Sequence, residues 1–185
     1  MSEYEGRERP MTDPIVIELP SQNEALLAVG RGIQAFALVE TVIGFLFADL
    51  MEPADRVRSI IALDAAGQIA AKMRVISAVA KHKLSGQALE EFNGAMGRCD
   101  SLRQFRNKLA HWTVGYWPGA ATAKDVQRQK VALTPPPSSL KHGAVVWGDD
   151  PPVHVEEIED FIQTCNALFR DLVALSASLK SGLLP

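Results

Sequence analysis

The residues best suited to chemistry lie together in one short segment, residues 103–112. Arg106, Asn107 and His111 fall within six positions, and Arg103 and Lys108 add positive charge beside them. A guanidinium can bind an oxyanion through two hydrogen bonds, and an imidazole can exchange a proton near neutral pH. This segment is therefore the candidate site for binding or catalysis.

The predicted position of the segment on a helix makes one of its arginines unusual. At about 100° per residue, Arg106 projects into the apolar arc formed by Phe92, Cys99 and Leu102. A guanidinium on such a face needs a carboxylate, a cluster of carbonyl groups or a phosphate as its partner. His111 would lie at or just past the end of the same helix, close enough to share a site with Arg106.

The order Arg106-Asn107-x-x-x-His111 resembles the Arg-x(4–6)-His motif of the HEPN superfamily, in which a polar residue, often Asn, follows the arginine. An Arg followed by His at one of three spacings is expected about 0.7 times by chance in a chain of this composition. Requiring the adjacent Asn lowers that expectation to roughly 0.02. The resemblance covers about residues 22–112 and 154–180, and it does not include the segment between them.

The resemblance implies a small all-α bundle that works as a homodimer. In this superfamily two motifs face one another across a composite site. Many members are metal-independent endoribonucleases, including toxins of toxin–antitoxin pairs and antiviral effectors. The resemblance thus predicts RNA as the substrate, an antitoxin-like protein as a partner, and no cofactor or metal.

The resemblance also implies roles for the three motif residues in cleavage of RNA by its own 2′-hydroxyl. His111 would act as general base or acid. Arg106 would hold the scissile phosphate and stabilise the charge of the transition state. Asn107 would orient the imidazole or the phosphate by hydrogen bonding.

Neighbouring residues are candidates for contacts with the rest of the RNA. Basic side chains can bind the phosphate backbone, and aromatic side chains can stack on unpaired bases. The candidate RNA-binding residues are Arg103, Lys108, Trp112 and Tyr116.

Structural roles for the same residues remain open alternatives. Arg106 would then pair with a buried carboxylate such as Glu40 or Asp64, and His111 would cap the end of its helix, where the macrodipole favours a cation. Trp112 would anchor the core. Under this alternative the chain is a catalytically silent HEPN-like dimer that binds a protein or a nucleotide, or an unrelated bundle.

Four long helices are predicted to position the segment. Ser21 and Glu24 form a capping box ahead of a helix over about 22–50. Further helices are predicted over about 54–83, from 85 or 86 to 110, and over about 154–180. Short links make the first three antiparallel neighbours. The predicted fold class is therefore all-α, an antiparallel bundle of four long helices.

The predicted domain organisation is an N-terminal tail over 1–20 and a single helical domain over 21–185. The link over 112–153 is too long for a structureless loop in a compact domain. Residues 126–133 and 143–147 have the composition of strands and are joined through 134–139. They predict a small β-hairpin inserted between the third and fourth helices.

Composition excludes several other functions. The 185 residues carry a net charge of −3, so contact with nucleic acid must come from a local basic patch. Two cysteines, Cys99 and Cys165, are too few for a disulfide scaffold or a cysteine metal cluster. The N-terminus has no apolar signal region, and the apolar stretch 33–50 is interrupted by polar residues and so falls short of a membrane span. We predict a cytoplasmic protein that does not bind membranes.

Overall fold

The computed structural model describes residues 20–51, 55–116, 131–141, 144–147 and 150–180. Within these ranges the chain is mainly helical, as predicted, with a small amount of antiparallel β-structure. The predicted tail over 1–20 lies outside the described residues except for Pro20. The helices are α1 (Pro20–Met51), α2 (Arg56–Asp64), α3 (Ile69–Lys83), α4 (Gly86–His111) and α5 (Val155–Lys180).

The single helix predicted over about 54–83 is wrong, because the chain is divided there into α2 and α3. Asp55 caps α2 by accepting a hydrogen bond from the Arg58 N–H at 3.2 Å. Gly67 then adopts a φ of +74° between the two helices. Such a left-handed conformation is costly for every residue with a Cβ and cannot continue an α-helix. The described residues therefore contain five helices instead of the predicted four.

The helix starts show one wrong and one accurate prediction. Because α1 begins at Pro20, Ser21 lies within its first turn and not at the predicted cap position. Proline suits that turn, where its missing N–H has no helical partner.

At the start of α5, the His154 N–H donates to the Glu157 carboxylate at 2.9 Å. This reciprocal half of a capping box explains why α5 begins close to the predicted position.

The described residues between α4 and α5, in the predicted insertion, form four strands, but their pairing differs from the prediction. Strand β1 (Thr113–Tyr116) pairs with β2 (Val131–Thr134), and β3 (Pro137–Lys141) pairs with β4 (Ala144–Trp147), both antiparallel. The predicted pairing of 126–133 with 143–147 is therefore wrong for the described residues 131–133 and 144–147, while residues 126–130 and 143 lie outside the described ranges. The chain after α4 is already extended and occupies one edge of β2. Val153 is bridged to Leu133 of β2 by backbone hydrogen bonds of 2.8 and 2.9 Å.

Helix α1 is the central element of the core. It packs against the other four helices and against β1 and β2, with its largest interface on α5. Gly32 allows α1 to approach α4 closely, since a Cβ at this position would lie 2.7 Å from Leu109 Cδ1 of α4. This contact seats the C-terminal half of α4, which carries the motif, against α1. The fully buried large side chains of α1 are Phe36, Val39, Ile43 and Leu46.

The same helix has the length and hydropathy of a membrane span. Over Gln22–Met51 the most apolar window reaches a mean hydropathy of 1.7, and half of that window is buried in the fold. The expectation that this region is too polar is therefore not supported by its composition. A central core helix meets the same criteria, so the cytoplasmic location stays a prediction.

Candidate functional site

A pocket of about 440 Å³ brings the three motif residues together. One wall is the C-terminal part of α4, and the opposite wall is the turn between α2 and α3, residues 67–70. Glu40 reaches the pocket from α1. The side chains contributed by α4 are Arg103, Arg106, Asn107 and His111.

The helical repeat of α4 explains why its polar residues share one wall. Arg106 and Asn107 follow Arg103 by three and four positions, so both side chains lie on the same face of the helix as Arg103. His111 follows Asn107 by four positions and extends the same face to the last turn. The local order of the sequence thus sets the arrangement of the motif along the pocket.

The apolar side of α4 fixes which way this face points. The Phe105 ring stacks on Phe161 of α5 with 4.8 Å between the ring centroids. Leu109 is buried against Gly32 of α1. Because these contacts fix the rotation of α4 about its own axis, the motif side chains are held in the direction of the pocket.

Arg106 is half-buried and has no compensating carboxylate in the part of the chain that the structure describes. Glu40 lines the same pocket but forms no ion pair with Arg106. Asp64 is instead paired with Lys72, at 2.6 Å. Neither partner considered in the structural alternative therefore neutralises the guanidinium, which leaves it able to bind an anion.

Arg103 differs from Arg106 because it is paired. Its Nε and Nη2 atoms lie 2.9 and 2.8 Å from one Asp100 oxygen. Both side chains are partly exposed, and such a pair contributes little to stability. Its main consequence for the site is that the positive charge of Arg103 is partly compensated, while that of Arg106 is not compensated by any described carboxylate.

His111 is exposed at the end of α4, next to the pocket. It is not the helix cap, because Trp112 occupies that position and its N–H donates to the Lys108 carbonyl at 2.9 Å. The macrodipole of α4 favours a cation in this last turn. The imidazole is therefore accessible both to a ligand in the pocket and to solvent.

Of the other candidate RNA-binding residues, Lys108 and Trp112 do not line this pocket. Trp112 is half-buried against the core, as the structural alternative expected. Lys108 Nζ lies 4.7 Å from the centre of the Trp112 ring and 3.7 Å from Asp150. Tyr116 ends β1, and its side chain lies outside the described residues. Their roles in binding RNA stay predictions.

Sequence reasoning missed the wall opposite α4. This wall consists of Gln68, Ile69 and Ala70. These residues reach the pocket because the chain turns at Gly67, between the end of α2 and the start of α3. The signal that could have located this wall is the glycine itself, in the middle of an otherwise helical pattern.

The two cysteines take no part in the site. Both are free and buried, and burial raises the pKa of the Cys99 and Cys165 thiols to about 12. For Cys99, the nearby carboxylates of Glu40 and Asp100 add to that effect. Buried thiols with a raised pKa are poor nucleophiles and act as small apolar side chains.

Comparison of the chain with protein-family models, curated proteins and solved structures gave no match. The predicted resemblance to HEPN proteins therefore depends on the sequence motif and its position at the end of a helix. Among the described residues, no group of three or more His, Cys, Asp and Glu side chains is arranged as metal ligands would be.

Proposed function

We propose that this protein is an HEPN-like endoribonuclease that cleaves RNA without a metal ion. The observation that carries the proposal is the common pocket of Arg106, Asn107 and His111, in which the Arg106 guanidinium has no ion pair with any described residue. We also assign the helices to an HEPN-like bundle in which the 112–153 segment is an insertion.

In the proposed reaction the 2′-oxygen of a ribose attacks the adjacent phosphorus. The bond from phosphorus to the 5′-oxygen breaks, giving a 2′,3′-cyclic phosphate and a free 5′-hydroxyl. One proton leaves the 2′-hydroxyl and one is delivered to the 5′-oxygen, which is general base and acid chemistry suited to His111. Arg106 stabilises the negative charge that develops on the phosphate oxygens. Asn107 holds the phosphate or the imidazole by hydrogen bonding.

The two proton transfers support a dimeric site. Only one histidine, His111, lines the pocket among the described residues. If two copies placed their pockets face to face, one His111 would accept a proton and the other would donate one. The exposure of His111 suits such an arrangement. The proposal therefore includes a homodimer with a composite site.

A second function is favoured by the carboxylates in and beside the pocket. Glu40 lies in the pocket, and Asp100 compensates Arg103. Both lower the positive potential available to RNA. A catalytically silent dimer that binds a nucleotide or an antitoxin-like protein partner in the cytoplasm would tolerate this weaker potential.

Cleavage of labelled single-stranded RNA in the presence of EDTA tests the proposal. We expect products ending in a 2′,3′-cyclic phosphate. His111→Ala should lower kcat/KM by about 10²–10⁴-fold and Arg106→Ala by about 10²–10³-fold. Arg170→Ala, a change at an exposed position of α5, is the control and should cleave normally. Cleavage that survives in both motif variants would refute the assignment, and binding without cleavage would favour the silent dimer.

Dilution tests the composite site separately. If two copies form the site, specific activity should fall once the protein concentration drops below the dimer dissociation constant, in step with the monomer fraction in sedimentation. Activity that is constant while the protein dissociates would show that one copy is sufficient.

A further inference from the structure

A second pocket adjoins the motif pocket along the surface shared by α3 and α4. It has a volume of about 530 Å³. Ala70 lines both pockets, and Asp100 of the second pocket is paired with Arg103 of the first. The two pockets therefore adjoin along α3 and α4, and we call the surface that they form together the α3–α4 groove. Its second part is lined by Ala70, Met73, Arg74, Ser77, Ala78, Lys81 and Asp100.

The α3 residues of this groove form a single stripe along the helix. Positions 70, 73, 74, 77, 78 and 81 repeat at three- and four-residue intervals, which places them on one helical face. From 70 to 81 that face extends about 16 Å at 1.5 Å per residue. The groove is thus long enough for several nucleotides of an extended strand beyond the motif.

The charges of the stripe suit an anionic chain. Arg74 and Lys81 are exposed, and neither forms an ion pair with any residue that the structure describes. They are seven positions apart in the sequence, so they lie about 10 Å apart along the helix axis. Asp100 is the one acidic side chain among the groove residues of the second pocket, and Arg103 pairs with it. Met73 is buried beside Arg74 and gives this end of the stripe an apolar floor.

We propose that the α3–α4 groove binds the single-stranded RNA backbone on one side of the scissile phosphate, with Arg74 and Lys81 contacting flanking phosphates. The proposal rests on the ribonuclease function proposed above and deepens it. Under this proposal α3 binds the nucleotides that flank the cleaved bond, so that longer RNAs bind more tightly, while the residues of α4 carry out the cleavage. A chain with a net charge of −3 thereby gains a local basic path to the motif pocket.

Binding measurements on the His111→Ala protein test the groove without the complication of cleavage. Fluorescent single-stranded RNAs, a trinucleotide and a dodecanucleotide, are titrated at several salt concentrations. We expect the dodecanucleotide to bind more tightly. The double change Arg74→Gln and Lys81→Gln should remove most of that advantage. It should also reduce the slope of log K against log salt by about 1.4, since each phosphate that is no longer neutralised lowers the slope by about 0.7.

A matched control separates a direct interaction from overall charge. Arg170→Gln with Lys83→Gln makes the same charge change at exposed helical positions outside the groove, and it should leave both the length advantage and the slope unchanged. Arg74→Lys keeps the charge and should retain binding. All variants are first compared by thermal unfolding. The groove proposal is overturned if the Arg74/Lys81 variant binds the dodecanucleotide as the control variant does.

The two proposals fail in different ways. If the protein with His111 intact does not cleave RNA but the groove variants still bind it more weakly, the ribonuclease proposal fails and the groove stands as an RNA-binding surface. If the protein cleaves RNA but the groove variants keep the same kcat/KM on the dodecanucleotide, cleavage stands and the groove proposal fails.

Discussion

Asp49 and Arg106 lie in two regions where charge is arranged in opposite ways. The Asp49 side chain is 1% exposed, and its oxygens lie 3.1 Å from Arg56 Nη2 and 3.3 Å from Lys180 Nζ. The Ser176 hydroxyl also donates a hydrogen bond to it. These contacts join α1, α2 and α5. Arg106, half-buried in its pocket, has no ion pair with any described residue.

The difference shows which charge stabilises the fold and which is available to a ligand. A buried carboxylate needs nearby cations and donors to replace its lost hydration. Those of Asp49 come from α2 and α5, so removing Asp49 breaks contacts among three helices. An uncompensated guanidinium facing an open pocket contributes little to folding. Its favourable interactions are left for an anion that enters the pocket.

The largest expected effect comes from separating activity from stability at Arg106. Arg106→Gln should lower kcat/KM for RNA cleavage by about 10²–10³-fold. Its free energy of unfolding should change by less than about 0.5 kcal/mol, because no ion pair is broken. Cleavage assays and urea denaturation of the same preparation measure both quantities. A large loss of stability would show that Arg106 has a structural role after all.

Asp49 should give the reverse result. Asp49→Asn should lower the free energy of unfolding by about 2 kcal/mol, because it removes the buried charge that pairs with Arg56 and Lys180, and it should leave kcat/KM of the folded protein unchanged. Asp171→Asn is the matched control. Asp171 pairs with Arg98 at 2.7 Å, but its side chain is 53% exposed, so the expected cost is below about 1 kcal/mol. Equal destabilisation of the two variants would contradict the role given to burial.

Two glycines with positive φ allow the pocket to be compared with the rest of the fold by backbone substitutions. Gly67→Ala and Gly86→Ala should each cost about 1 kcal/mol, since their φ values of +74° and +53° are unfavourable for alanine. Only Gly67 lines the pocket. RNA cleavage should therefore fall in the Gly67 variant alone, as measured by kcat/KM beside thermal unfolding. Equal activity in both would mean that the turn does not shape the site.

The smallest expected effect comes from removing the carboxylate that compensates the positive charge of Arg103. Asp100→Asn removes the carboxylate paired with Arg103 and should increase affinity for single-stranded RNA about twofold, equivalent to about 0.5 kcal/mol. Fluorescence titration in the His111→Ala background measures it. Weaker binding would indicate that Asp100 is needed to hold Arg103 in place.

Much of the helical framework was predictable because it depends on local pattern. The first helix, predicted over 22–50, spans Pro20–Met51, and the last, predicted over 154–180, spans Val155–Lys180. Their apolar repeats are long and continuous. Gly67 lies in the middle of the helix predicted over about 54–83. The neighbouring residues alone did not show whether that helix would continue through the glycine or end at it. Strand pairing was missed for a related reason, since the partners of β2 are chosen by contacts with distant parts of the chain.

The sequence by itself determined the order Arg106, Asn107 and His111 and their position on one helix, because helix formation and residue spacing are local properties. Only the tertiary structure decided that Glu40 and the turn at Gly67 complete a pocket around them. It also decided that Arg106 has no ion pair with any described residue, while Asp49 has two cations. Those outcomes depend on contacts between residues far apart in the chain. Their energies are set by burial and by distances that exist only once the helices have packed.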